Sequence, residues 1–170
     1  KSYSYIDLNW AYSKIRFDYN AYPTKGASTE IALSQRFSKE SNLSAIQFRQ
    51  IVAHPIAPGR FIFAESLTIA RTMQQSNYSD RKLMGYGLMQ MNGLDYYVVD
   101  GNAGTLFKAA IHQRIGSYTV ENPLTKKFLP SVKYTFWIKA FTQLGYVYSQ
   151  EKNKSNSLAN SLLRTAGIGV

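Results

Sequence analysis

The chain has 170 residues, enough for one domain with a sizeable core or for part of a larger one. It contains no cysteine, which excludes a disulfide scaffold and a thiolate metal site, and no run of about 18 apolar residues, which excludes a transmembrane helix. Lys and Arg outnumber Asp and Glu by 20 to 10, but they are scattered, and the longest cluster is Lys126-Lys127, so nucleic-acid binding is not expected.

Thirteen Tyr, nine Phe and two Trp raise the aromatic share to 14%, a bias toward strands and toward boundaries between water and apolar phases. The first residues, KSYSYIDLNW, lack the charged start, apolar middle and cleavage site of a signal peptide. If the protein is secreted or in an outer membrane, its N-terminus is expected to have been processed or cut away.

In chain order, residues 4–13 alternate, with Ile6, Leu8, Trp10 and Tyr12 on one face and Asp7, Asn9, Ala11 and Ser13 on the other, in a strand that continues to about Asp18. The Pro and Gly of Tyr22-Pro23-Thr24-Lys25-Gly26 then mark a turn. Residues 27–37 form a second strand, with Ile31, Leu33 and Phe37 on its oily side. Residues 43–54 form a third, with blurred alternation, before a tight turn at 55–59. Residues 60–73 place Phe61, Phe63, Leu67 and Ile69 together, with Glu65 unaccountably among them.

Residues 103–115 set Phe107, Ala109 and Ile111 against Lys108, Ala110, His112 and Arg114. After a polar link with Pro123 and Pro130, residues 134–149 set Ile138, Ala140, Leu144, Tyr146 and Tyr148 against Lys139, Phe141, Gln143 and Gly145. Residues 158–170 start a last strand, and no helical periodicity competes with these segments. Seven strands of this length exceed the usual five or six residues and suit tilted membrane crossings. The expected fold class is therefore all-β, an antiparallel up-and-down transmembrane β-barrel. Seven strands leave two open edges in lipid, so the chain is expected to be part of a longer barrel.

Residues 83–107, LMGYGLMQMNGLDYYVVDGNAGTLF, fit no regular template. Five glycines stand among bulky apolar residues, too oily for an exposed loop and too rich in glycine for a core element. This predicts a long loop, residues 74–102, folded back into the interior, where glycine lets backbone pass close to a wall.

At Met91-Asn92-Gly93-Leu94, followed by Asp95-Tyr96-Tyr97-Val98-Val99-Asp100-Gly101 and preceded by Gly85-Tyr86-Gly87, the chain resembles the BamA/TamA family of outer-membrane proteins, the bacterial surface antigen family. Tyr22-Pro23-Thr24-Lys25-Gly26 is similar to its Phe-Pro-Thr-x-Gly periplasmic turn, and residues 161–170 to its strand third from the C-terminus. The resemblance implies strands eight to fourteen of a sixteen-strand barrel, without the periplasmic POTRA domains, the first seven strands or the last two. It also implies a loop that enters the lumen and carries, at its tip, an arginine paired with acidic residues of the wall.

Here the matching positions are Asn92 at the tip and His112 and Gln143 on the wall, all neutral or weakly basic. Losing both sides of such a pair disrupts less than losing one. Two arrangements are open: a hydrogen-bonded network of Asn92, His112 and Gln143 that locks the loop, or docking through Met89, Met91, Tyr96 and Tyr97.

The function implied is non-enzymatic. It is to assist insertion, assembly or translocation of other outer-membrane proteins in the bacterial outer membrane, with lipid and nascent barrels or assembly subunits as partners and no cofactor. A passive pore favouring anions, its constriction made by the folded-in loop and its selectivity set by lumen-facing Lys108, Arg114 and Lys139, is the alternative. A soluble β-rich binding module fits poorly with faces bearing Trp10, Phe61 and Phe63. His54 and His112 lack metal-ligand spacing, Asp95 and Asp100 read as turn formers, and no glycine-flanked nucleophilic serine occurs.

Overall fold

A computed structural model describes residues 4–19, 22–39, 42–73, 78–85, 87–94, 97–121, 131–150 and 157–170, with backbone alone at Tyr78 and Ser79. The chain is all-β. Its main strands are β1 (Tyr5–Phe17), β2 (Gly26–Ser38), β3 (Leu43–Ala57), β4 (Arg60–Met73), β7 (Ala103–Glu121), β8 (Ser131–Tyr148) and β9 (Leu162–Gly169). They form one seven-stranded antiparallel sheet in the order β1-β2-β3-β4-β7-β8-β9, each beside its neighbour in sequence. Among the described strands β1 and β9 are its two edges. Between β4 and β7 lie a four-residue helix, α1 (Tyr78–Arg81), and a small ladder of β5 (Lys82–Met84) with β6 (Val99–Asp100).

Alternation along each strand sorts the side chains onto two unlike faces. The open face carries Trp10, Leu33, Ile46, Phe48, Phe107, Ile111 and Leu144, all exposed. Part of the other face, over β4, β7, β8 and β9, is covered by the chain's own loop. Leu67, Leu106, Val147 and Leu163 are buried there beneath Leu83, Met84, Met89, Met91 and Val99. The only extensive apolar core among the described residues is thus between sheet and loop.

Several sequence expectations are refined. On β4 the apolar run Phe61, Phe63, Leu67 and Ile69 occupies the covered face, whereas the oily sides of β1 and β2 lie on the open face. The expected tight turn at 55–59 shortens to a turn at Pro58 and Gly59, because Pro55 belongs to β3 opposite Phe61. Proline is tolerated there because β2 ends its pairing at Ala53, and the ladder shifts register between Pro55 and Ala57. β7 and β8 are longer than the 103–115 and 134–149 expected, and β9 begins only at Leu162. The links around Pro123, Lys126, Lys127 and Pro130 lie outside the described residues.

Candidate functional site

Two arginines hold the base of the loop. Arg71 on β4 donates through Nη1 to the carbonyls of Asp80 at 2.7 Å and Lys82 at 2.8 Å, while its backbone N–H donates to Asn102 O at 2.7 Å. Arg36 on β2 spans Asp7 on β1 at 2.9 Å and Asp80 at 3.3 Å, tying α1 to the sheet. The return strand is fixed by Gly101 N–H to Arg81 O, 2.9 Å, and Asn102 N–H to Tyr148 O, 2.8 Å. A Cβ at Gly101 would stand 2.5 Å from that Tyr148 carbonyl, so only glycine lets the loop run this close to β8.

From this base the loop reaches along the covered face. Met89 and Met91 are buried at 1% exposure, and flexible thioethers suit the irregular space over the glycines of β7 and β8. At Gly145 an added Cβ would meet Met84 Cε at 2.7 Å and Met91 Sδ at 3.2 Å, so the bare backbone of β8 is the slot for these side chains. The tip turns through Leu94 N–H to Met91 O, 3.1 Å, with Gly93 at φ 82°.

At the tip the loop meets a polar row. Asn92 donates its backbone N–H to Gln143 Oε1 at 2.8 Å. Register places Gln143 opposite Lys108, and Lys108 opposite Glu65. Lys108 Nζ lies 3.6 Å from Glu65 Oε2. Glu65 Oε1 accepts from Arg49 Nε at 2.8 Å, and Arg49 continues to Glu30 at 3.5 Å. Charges alternate along the row, so the buried Glu65 is satisfied from both flanks. The acid that broke the apolar pattern of β4 is the centre of this row.

His112 stands apart from it. The Lys139–His112 pair lies four residue pairs along the ladder from the Gln143–Lys108 pair, two positions on along the same face, and the imidazole faces the turn end of the sheet. It stacks on Phe61 with ring centres 4.6 Å apart and hydrogen-bonds the Tyr22 hydroxyl. Tyr22 also packs against Trp137 at 5.8 Å.

The β1–β2 turn brings Tyr22 there because Asp18 organises it. The Asp18 carboxylate accepts from the N–H groups of Tyr19, Thr24 and Lys25 at 3.0, 2.9 and 3.1 Å and from the Thr24 hydroxyl. The Thr24 hydrogen bond leads these in holding the carboxyl down to about 2. Burial pushes the Tyr22 phenol up from its ordinary value.

The expected three-residue network therefore takes a different form. Gln143 meets the loop tip, but through the main chain of Asn92, whose side chain is exposed, and His112 belongs to the aromatic cluster. A backbone partner needs no particular side chain at position 92, and the four-residue offset puts His112 beyond the tip. Of the docking residues, Met89 and Met91 pack, Tyr97 is exposed, and Tyr96 lies outside the described residues, as do Tyr86 and Asp95.

Between tip and cluster remains a cavity of about 260 Å³ lined by Tyr22, Phe63, Asn92, Lys108, Lys139 and Gln143 among others. Lys139 has no carboxylate within ion-pair distance among the described residues and lies 5.9 Å from the Phe141 ring centre. Arg114 packs over Gly59 at the turn end. No group of three or more His, Asp or Glu able to hold a metal occurs among the described residues, and no helix is long and apolar enough to cross a membrane.

Comparison with protein-family models, with curated proteins and with solved structures finds no match.

Proposed function

We propose that this chain is the loop-bearing portion of a bacterial outer-membrane β-barrel of the BamA/TamA type, which assists insertion, assembly or translocation of other outer-membrane proteins. The observation that carries the reading is the division of the sheet. One face exposes large apolar and aromatic side chains on most of its strands, while the opposite face holds an alternating charge row and is covered in part by a loop of its own chain.

A water-soluble sheet buries its oily face and wets its polar one; a barrel in lipid does the reverse. The open edges β1 and β9 are satisfied, in this reading, by further strands of the barrel. The loop acts as a brace and plug in the lumen, its hold coming from methionine packing and the Gln143 contact.

The test is reconstitution of the full-length protein in lipid vesicles, followed by the folding rate of an unfolded substrate barrel added from outside. Faster folding than with empty vesicles is expected. An unchanged rate removes the assembly role, and a full-length chain soluble without detergent removes the barrel itself.

A second reading is a passive pore favouring anions, supported by Lys139, which lines the cavity without a carboxylate partner among the described residues. It predicts a reversal potential in a salt gradient that shifts toward cation preference in Lys139→Glu. Lys108 contributes less, because Glu65 neutralises it.

A further inference from the structure

The cavity between the loop tip and the turn cluster is chemically ordered. Its floor is the row Phe63, Ala110 and Phe141, in which β4, β7 and β8 set two aromatic residues on either side of a single methyl group. All three are partly buried and line the cavity. The next row toward the loop is Glu65, Lys108 and Gln143, and the next toward the turn is Phe61, His112 and Lys139. Asn92 of the loop tip bounds one end, and Tyr22 of the β1–β2 turn bounds the other.

Two glycines of β9 keep this floor open. A Cβ at Gly167 would stand 2.8 Å from Phe141 Cζ, and one at Gly169 would stand 3.0 Å from Lys139 Cε. The Phe141 ring and the Lys139 stem therefore lie over bare β9 backbone, on the far side of β8 from Ala110. What remains above Ala110 is a slot flanked by Phe63 and Phe141. Its volume of about 260 Å³ falls below that of pockets for drug-sized molecules and suits a single ring. Aromatic flanks favour an aromatic occupant, through edge-to-face and offset contacts.

Charge around the slot is uneven. Lys108 is answered by Glu65 at 3.6 Å, and Arg49 by Glu65 and Glu30, so that row is neutral. Lys139 has no carboxylate within ion-pair distance among the described residues, and none of the described carboxylates lines the cavity. One uncompensated ammonium fits one negative charge, and a carboxylate accepts a charge-assisted hydrogen bond from it. At the other end Gln143 Oε1 is taken by the Asn92 N–H, which leaves Nε2 as a donor. Lys139 and Gln143 share one face of β8 with Phe141 midway, roughly 13 Å apart at about 3.3 Å per residue. An inorganic anion would leave the apolar flanks uncovered, and a neutral aromatic would leave Lys139 unanswered.

We infer that this slot is a binding site for a small aromatic monocarboxylate, its ring over Ala110 between Phe63 and Phe141 and its carboxylate on Lys139. A polar group on the ring opposite the carboxylate would meet Gln143. The site is built from the described strands, turn and loop tip, so it goes beyond the assembly reading and stands apart from it.

The test uses the full-length protein in phosphatidylcholine nanodiscs with 4-fluorobenzoate, read by fluorine NMR line width. Saturable broadening beyond that of empty nanodiscs, reversed by excess benzoate, is expected. Acetate and benzyl alcohol should displace the probe about tenfold less well or worse. Lys139→Met is expected to weaken binding about tenfold or more, Lys139→Arg to retain most of it, and Ala110→Leu, which fills the slot, to abolish it. Urea midpoints near the parent's establish that the variants are folded. If Ala110→Leu does not fold, the contrast between Lys139→Met and Lys139→Arg carries the test, since both leave the floor intact.

Absence of saturable broadening overturns the site. So does binding unchanged in Lys139→Met and Ala110→Leu, which would place the acid elsewhere on the protein. Equal displacement by acetate removes the aromatic class, and equal displacement by benzyl alcohol removes the anion. Binding is read independently of the substrate-folding rate, so failure of the site leaves the assembly reading standing, and failure of that reading leaves the site.

Discussion

The covered face of the sheet is two regions in one. Toward the loop end it is dry: Leu67, Leu106 and Val147 lie at 1% exposure or less beneath the loop methionines. Toward the turn end it holds Glu65, Lys108, Gln143, His112 and Lys139 around a cavity. Strand, register and face are continuous between them; what changes is whether the loop reaches. Asn92, donating to Gln143, sits at the border. Dryness on this face is thus set by the loop's length and seating, and the side chains of each region match the medium they meet.

The sharpest way to break the comparison is to empty the dry region. Leu106→Ala leaves a void under Leu83 and the methionines and is expected to cost about 2–5 kcal/mol in urea unfolding of the reconstituted protein. It should also increase protease cleavage of the loop. A cost below 1 kcal/mol, roughly what a well-exposed site shows, would mean that the loop does not bury this position.

The next effect lies in the polar region. Glu65→Gln leaves Arg49 and Lys108 facing a neutral amide and is expected to lower stability by about 1–3 kcal/mol, with the loss shrinking when Lys108→Gln is combined with it. Simple additivity of the two substitutions in a double-mutant cycle would dissolve the row into independent residues.

At the border, Gln143→Leu orphans the Asn92 N–H and is expected to cost about 1 kcal/mol, whereas Asn92→Ala keeps that N–H and should stay within about 0.5 kcal/mol of the parent. Equal losses from both would restore a role for the Asn92 side chain.

The smallest effect is at the turn that delivers Tyr22. The folded carboxyl of Asp18 is lowered to about 2. Its contribution to stability is therefore complete above the ordinary carboxylate value and is lost as pH falls from about 4 through 2. Comparing the parent with Asp18→Asn across this range should show a gap at neutral pH that closes in acid; a gap of constant size would place the effect in shape rather than charge.

The strands, and which side chains share a face of each, were legible because a period of two is written locally. Ile138 against Lys139, or Phe107 against Lys108, needs no knowledge of the fold. The loop was legible too, since glycines such as Gly101 mixed with methionines suit neither solvent nor regular structure. Glu65 on β4 was the visible sign of the ion row, but its partner Arg49 sits on β3, where the alternation is blurred. The offset between His112 and Gln143 depends on which rung the loop tip reaches, and no local pattern encodes that distance.

The sequence by itself thus determined an all-β chain with two chemically unlike faces and one buried loop, because side-chain alternation and glycine placement act over a few residues. Tertiary structure alone decided which oily face is covered on β4, that Gln143 meets the Asn92 backbone, that His112 joins Tyr22 and Phe61, and that β7 outruns β4. Each of these depends on register between strands far apart in the chain, where a shift of one residue turns every side chain to the other face.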